Sequence, residues 1–390
     1  MKQEISYINP SSLDISVADF DAMDEVHVFS KEYKRNKKQM LKQYRKKIYT
    51  SGQKNYIKAA MIAALFLILA PIAVNAATDG EFFNRIWGKL AKKDVKSHDE
   101  VLYDEQNFPY TYTFPEREYV DVDPDKANAL ISEHVSHHTI VKELGDTTLT
   151  ILSSVYDGNS AIVAFTLKRE GGVNALQYSQ LDNEGYGARF THDATFRLEF
   201  TDYSETIFVD LDRSTNDLLY CYDYMVMTNS SSMDIKELSL EVKEYPCTVG
   251  EMFEADEETF DKYLADTKTS HISIPLKPAV KRSDYTNAAG GIASISSIGL
   301  KIDIRTGLGL SGDEIYDREN VYYIAVNYKD GTDYVVLEHA LPSVHDCDVK
   351  KDNSNAFDCY EGIFTLLFNR LVDTDTVQSI TVNDTTYSLK

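Results

Sequence analysis

Basic charge is in short supply: 40 Lys and Arg stand against 62 Asp and Glu, a net charge of −22 over 390 residues. That balance argues against a nucleic-acid binder, because phosphates are met by a basic footprint. Cysteine is nearly missing too, with four residues and no CxxC spacing, so zinc and dithiol chemistry have no motif. No HExxH occurs, and residues 78–390 hold no GxSxG, SxxK or P-loop pattern. Nothing in the sequence therefore supports an enzyme, and no cofactor is expected. No repeat at a solenoid period appears either. What is present in quantity is hydrophobic residues, 43% of the chain, enough to bury sizeable cores and to exclude global disorder.

The charge is sharply segregated. Residues 1–30 carry Lys2 against Glu4, Asp14, Asp19, Asp21, Asp24 and Glu25, whereas residues 31–58 hold eleven Lys or Arg and only Glu32. Directly after this basic block, Ala59–Ala77 reads AAMIAALFLILAPIAVNAA, nineteen residues without a charge. As a helix it would cover about 28 Å, close to the hydrocarbon thickness of a bilayer. The sequence thus predicts one membrane span within residues 57–77. The basic side stays inside, which puts the N-terminus in the cytoplasm and residues 78–390 outside the cell membrane. A cleaved signal peptide fits poorly, since its basic region would be nearly sixty residues long. Pro71 interrupts the apolar run, and it marks either a tolerated kink or a weak turn open to intramembrane cleavage.

Residues 1–56 form a regulatory segment too small for a core of its own. Phe29–Tyr49 reads as a helix, capped by Ser30 and free of Gly and Pro, with Tyr33, Met40 and Tyr44 near one face and Leu41 beside it. Such a helix suits either anionic lipid headgroups or a partner's groove. The upstream stretch with Leu13, Ile15 and Phe20 among acidic residues favours a partner with basic and apolar patches.

Beyond the span, Phe82–Leu90 reads as an amphipathic piece resting at the outer membrane interface, with Trp87 as its anchor. Residues 78–140 are expected to be linker and short helices, 105–123 in particular. Thereafter short strands dominate. Thr147–Leu152 and Ala161–Leu167 flank an Asp157-Gly158 turn, and Val321–Tyr328 and Tyr334–Glu338 flank Asp330-Gly331. The fold class expected outside the membrane is mainly β: two Ig-like β-sandwich modules, 141–280 and 281–390, with Lys281–Gly291 as the loop between them.

Weak chemical candidates remain. Cys221, Cys247, Cys347 and Cys359 all lie outside, where disulfides persist; local pairing would join Cys221 to Cys247 and Cys347 to Cys359, against a reading of four free or buried thiols. His134 and His138 stand at a helical metal spacing, but no third ligand accompanies them, so an exposed polar helix end is the plainer reading. The acidic runs 251–261 and 346–358 lack the spacing and central glycine of a calcium loop. No metal site is expected.

The ordered features SKEYKRNKKQMLKQYRKK, the single span, FFNRIWGKL and LTILSSVYDGNSAIVAFTLK together resemble a family of Gram-positive single-span proteins with a domain of unknown function. SSVYDGNSAIVAFTL (Ser153–Leu167) is the most specific piece, and ASISSIGLKIDI and VQSITVNDTTYSL resemble parts of its second β module. Members accompany extracytoplasmic-function sigma factors and are regarded as membrane-bound anti-sigma factors. The resemblance implies a cytoplasmic segment that sequesters a sigma factor, outer domains that sense an envelope ligand or signal, and release by proteolysis near Pro71. The chain departs from the family in its longer post-span segment and its four cysteines. It also has no HxxxCxxC zinc-type motif in residues 1–56. The alternative is a surface adhesion or ligand-binding protein whose tail only sets topology.

Overall fold

A computed structural model describes residues 81–103, 109–169, 195–227, 235–316, 320–339 and 349–389. The expected span with Pro71, the partner-binding candidates Leu13, Ile15, Phe20, Tyr33, Met40, Leu41 and Tyr44, and Cys347 lie outside these residues. Among the described residues no helix is long and apolar enough to cross a membrane. They all belong to one unit, Val74–Lys390.

The unit is mainly β. It opens with α1 (Glu81–Trp87), the hairpin β1 (His98–Tyr103) and β2 (Pro109–Phe114), and α2 (Pro124–Ile131). Pro124 fits the first turn of α2, where Asp123 caps the amides of Asp125 and Lys126. Then come β3 (Ser136–Leu144), β4 (Thr147–Tyr156), β5 (Ser160–Arg169), β6 (Phe196–Phe200), β7 (Tyr203–Val209), β8 (Leu218–Met227) and β9 (Glu237–Glu244). Two short helices, α3 (Val249–Glu254) and α4 (Glu257–Asp266), lead to β10 (Lys268–Pro275). These strands make a five-stranded antiparallel sheet, β3-β4-β5-β8-β7, and a three-stranded one, β10-β9-β6. Ile151, Val163, Leu219 and Met225 from the first meet Leu198, Leu240 and Ile274 from the second in one apolar cluster.

The rest of the chain forms a ten-stranded antiparallel sheet. Its strands are β11 (Arg282–Thr286), β12 (Ile292–Ser296), β13 (Gly299–Asp303), β14 (Tyr323–Tyr328), β15 (Asp333–His339), β16 (Val349–Asp352), β17 (Ser354–Tyr360), β18 (Ile363–Phe368), β19 (Val377–Val382) and β20 (Thr385–Leu389), with α5 (Ile304–Leu308) after β13. The order is β16-β15-β14-β19-β20-β11-β12-β13-β18-β17, so its two end strands are consecutive in sequence and meet at Asn353. That corner is held by its own polar groups. Asn353 donates its amide to Val336 O at 2.7 Å and its Nδ2 to Val335 O at 2.8 Å, and its carbonyl accepts from the Tyr334 hydroxyl at 2.7 Å. A second apolar cluster, with Ile302, Val326, Phe364, Ile380 and Tyr387, fills this sheet.

A third cluster ties the parts together. Phe83, Ile86 and Trp87 of α1 and Ile131 of α2 pack with Val155, Ile162, Tyr222, Tyr224 and Val226 of the five-stranded sheet and with Ile298, Ala356 and Leu367 of the ten-stranded one. β8 is therefore buried on both faces. Leu219, Cys221 and Met225 enter one cluster and Tyr222, Tyr224 and Val226 the other, which is why LLYCYDYMVM reads as an almost unbroken apolar run.

Several expectations are corrected here. Trp87 is fully buried in protein, at 0% exposure, because α1 finds apolar partners on both sheets and has no need of a lipid interface. The stretch read as linker contains β1, β2 and the buried Tyr119. The loop 281–291 contains β11, and the acidic stretch 346–358 holds β16 and most of β17, whose polar residues face the corner rather than solvent.

The turn between β4 and β5 also crosses to the second sheet. Asp157 accepts from the amides of Asn159 and Ser160 at 3.0 and 2.8 Å, and its other oxygen accepts from Arg282 Nη1 at 2.6 Å and Ser296 Oγ at 2.5 Å. Gly299 permits this approach: a Cβ there would stand 2.7 Å from the backbone carbonyl of Leu366 and 3.2 Å from Asp157 Oδ2. Gly299→Ala is expected to destabilise the unit by about 1–3 kcal/mol through overpacking. The urea midpoint checks it, and an unchanged midpoint would show that β18 can yield.

Candidate functional site

The segment just past the expected span is EFFNRIWGKLAKKDV, residues 81–95. In α1 the apolar Phe83, Ile86 and Trp87 share one face at helical spacing, and the intervening charges have nowhere to go but inward or along the sheet surface. Arg85, 9% exposed, sends Nη1 to both carboxylate oxygens of the fully buried Asp210, at 3.1 and 3.0 Å. Asp210 ends β7 and also accepts from the Tyr222 hydroxyl at 3.2 Å and from the Arg213 amide at 3.3 Å. A buried carboxylate with several donors is the form in which buried charge is tolerated.

Lys92, 3% exposed, is the second anchor. Its ammonium donates to Ile86 O at 3.0 Å, to the Tyr224 hydroxyl at 2.6 Å and to Asn355 Oδ1 at 3.3 Å, one acceptor for each of its three hydrogens. The same nitrogen lies 4.4 Å from the ring centre of Tyr224, 4.9 Å from Phe208 and 5.5 Å from Tyr119, an aromatic enclosure that favours a cation. Burial pushes the Lys92 amine well below its ordinary pKa; nearby Arg117 adds to this and Asp210 opposes it. Tyr224 stands on β8 and Asn355 on β17, so one side chain joins the post-span segment to both sheets. Further along, Val95 and Arg117 exchange two backbone hydrogen bonds at 2.9 Å, and Arg117 pairs with Asp352 of β16 at 2.9 Å.

This arrangement holds; its groups are all engaged in one another. It is a clamp of buried charges and aromatic rings on residues 81–95. Reasoning from sequence alone misses Arg85, Lys92, Asp210, Tyr222, Tyr224 and Asn355. The one local signal is the aromatic-rich β8 with tyrosines on alternate positions.

The candidates named from sequence fall elsewhere. Cys221 and Cys247 carry free thiols, so the expected Cys221–Cys247 bridge is not formed; Cys221 is buried in the first apolar cluster, where burial pushes its thiol pKa up. Cys359 is buried with Sγ 3.3 Å from Ile315 O. His134 sits in a 3-10 turn against Pro278 O at 2.8 Å, while His138 lies on β3 with Nε2 2.8 Å from Ser154 Oγ. The helical spacing that would pair them is therefore absent. Burial, with His137 adding its charge, lowers His138 to about 4. Among the described residues no group of three His, Cys, Asp or Glu could hold a metal ion.

No protein-family model and no curated protein matches the chain. Among solved structures it is similar to the crystal structure of the conserved domain protein from Bacillus anthracis, at 11% identity and a TM-score of 0.32, over 63% of this chain and 75% of that one. A superposition this loose bears on neither fold nor function.

Proposed function

We propose that the protein is a membrane-anchored, anti-sigma-factor-like regulator. In this reading residues 59–77 span the cell membrane once, with the basic flank against its cytoplasmic lipids. Residues 1–56 hold an extracytoplasmic-function sigma factor through Leu13, Ile15, Phe20, Tyr33, Met40, Leu41 and Tyr44. The outer region acts as two Ig-like sandwich modules, one built of the five- and three-stranded sheets and one of the folded ten-stranded sheet. It responds to an envelope signal.

The supporting observation is the clamp. Residues 81–95, the first stretch after the apolar run, are gripped by Asp210, Tyr224 and Asn355 inside the outer unit. A signal that loosens this unit frees the chain beside the membrane and opens it to a protease. Cleavage there, and then near Pro71, would release the cytoplasmic segment with its partner.

Capture of the tagged full chain from detergent-solubilised membranes of its own cells tests the reading. A sigma factor is expected to co-purify, and a variant with residues 13–44 scrambled at constant charge is expected to lose it. Recovery of no sigma factor, or equal recovery with the scrambled variant, overturns the proposal and favours the adhesion reading.

A further inference from the structure

Two carboxyl groups inside the first β unit are used by neither the clamp nor the regulatory reading. Glu205 lies on β7 and Asp223 on β8. In the register Glu205 faces Met225 and Ile207 faces Asp223, so the two carboxyls are diagonal neighbours on one face of the sheet. That face also carries Ile207, Val209, Cys221 and Met225, all members of the first apolar cluster. Asp223 is 2% exposed, and its Oδ1 has no hydrogen-bond partner among the described residues. Its side chain shares a hydrogen bond with Glu205. Two ionised carboxylates are acceptors only, so this bond exists only while a proton sits between them.

The surroundings do not supply a counter-charge inside the core. From β6, Arg197 and Glu199 act on Glu205 with opposite sign, and Glu199 is itself held by Arg197 at 3.4 Å and Lys243 of β9 at 3.5 Å. The Phe200 amide approaches Glu205 Oε2 at 3.5 Å. On the pair's own strands the Cys221 thiol and the Tyr203 hydroxyl are both pushed up by burial. Facing strands present Val163 from β5, Leu238, Leu240 and Val242 from β9, and Ile272 and Ile274 from β10, none of them titratable.

We propose that Glu205 and Asp223 form a proton-holding pair that keeps the first β unit closed in acid and loosens it as the surroundings turn alkaline. Burial raises both groups, Glu205 to about 7 and Asp223 well above the carboxylate range. Both folded values therefore lie above the unfolded ones, and the native pair binds more protons than the open chain. The stabilisation is complete below about pH 4 and fades as pH climbs through about 7 and beyond. The strand affected is the one that matters for the clamp. β8 turns Asp223 into one cluster and Tyr222 and Tyr224, which hold Asp210 and Lys92, into the other.

The test is urea unfolding of the full chain in detergent micelles, read from Trp87, the single tryptophan and a fully buried one. His137 and His138, lowered by burial, push stability the other way below about pH 6.5, so parent is compared with variant at each pH. The unfolding constant of the parent relative to Glu205→Gln is expected to rise by close to tenfold per pH unit between about pH 5 and pH 7, then level off. Asp223→Asn should change the ratio in the same direction. Should either variant fail to fold, the parent alone decides. Its infrared spectrum near neutral pH is expected to hold the absorption of a protonated carboxyl, which disappears on alkaline titration. A ratio independent of pH in folded variants, or no protonated carboxyl near neutrality, overturns the proposal.

Discussion

Asp210→Ala is expected to destabilise the outer unit by about 3–5 kcal/mol, among the largest effects any single change can have here. The reason is what remains behind. Arg85 stays 9% exposed with its guanidinium aimed at a site that has lost both acceptor oxygens, and the Tyr222 hydroxyl loses its acceptor at 3.2 Å. An orphaned buried charge costs far more than the pair contributed. Two further variants separate these quantities. Asp210→Asn keeps one acceptor oxygen and should lose less. The double change Arg85→Met with Asp210→Leu removes both charges and should recover most of the stability, because apolar groups of similar volume suit this cluster. Urea unfolding read from Trp87 emission checks all three. Since the pair is buried, the loss should be nearly the same at low and high salt. A loss under about 1 kcal/mol, or one abolished by salt, would mean the ion pair is in effect exposed.

The strands legible in the sequence are those whose pattern and turn are both local. The β4-β5 pair announces itself by apolar runs around Asp157-Gly158, and Gly158 takes a φ of 96° there. In the same way β14 and β15 flank Asp330-Gly331, with Gly331 at φ 85°. Strands without such signals are set by their neighbours. In β16 and β17 the run Asp352-Asn353-Ser354-Asn355 has the composition of a solvent loop, yet all four residues are buried because the two ends of the ten-stranded sheet meet there. β11 likewise owes its existence to β12 and β20, with which it pairs.

The clamp was hidden for a related reason. Arg85 and Lys92 have the local context of any basic flank beyond an apolar run, and the positive-inside pattern assigns them nothing further. Their partners are far along the chain: Asp210 is 125 residues from Arg85, and Tyr224 and Asn355 are 132 and 263 residues from Lys92. No window of sequence contains both halves of such a contact. The amphipathic spacing of Phe83, Ile86 and Trp87 was visible, but spacing alone does not say whether the apolar face meets lipid or protein.

Trp87→Ala separates those two surfaces. Inside protein, the indole packs with Phe83 at a ring-centroid distance of 6.3 Å and belongs to the cluster shared by both sheets, so its removal is expected to destabilise the unit by about 3–5 kcal/mol. The indole N–H has no hydrogen-bond partner among the described residues, which leaves packing as what holds the ring. A lipid anchor would give the opposite result, because deleting it leaves the sheets untouched. Thermal unfolding followed by tyrosine near-ultraviolet dichroism measures the difference, since the probe tyrosines lie in both sheets. The same variant also tests the clamp. α1 has seven residues, too few to persist as a helix without tertiary contacts. Once Trp87 is gone, α1 should fray at temperatures where the sheets still hold, and limited proteolysis should cut within residues 81–95 before anywhere in β4, β5 or β8. Unfolding and cleavage unchanged from the parent would place Trp87 outside the protein core and would leave the post-span segment ungripped.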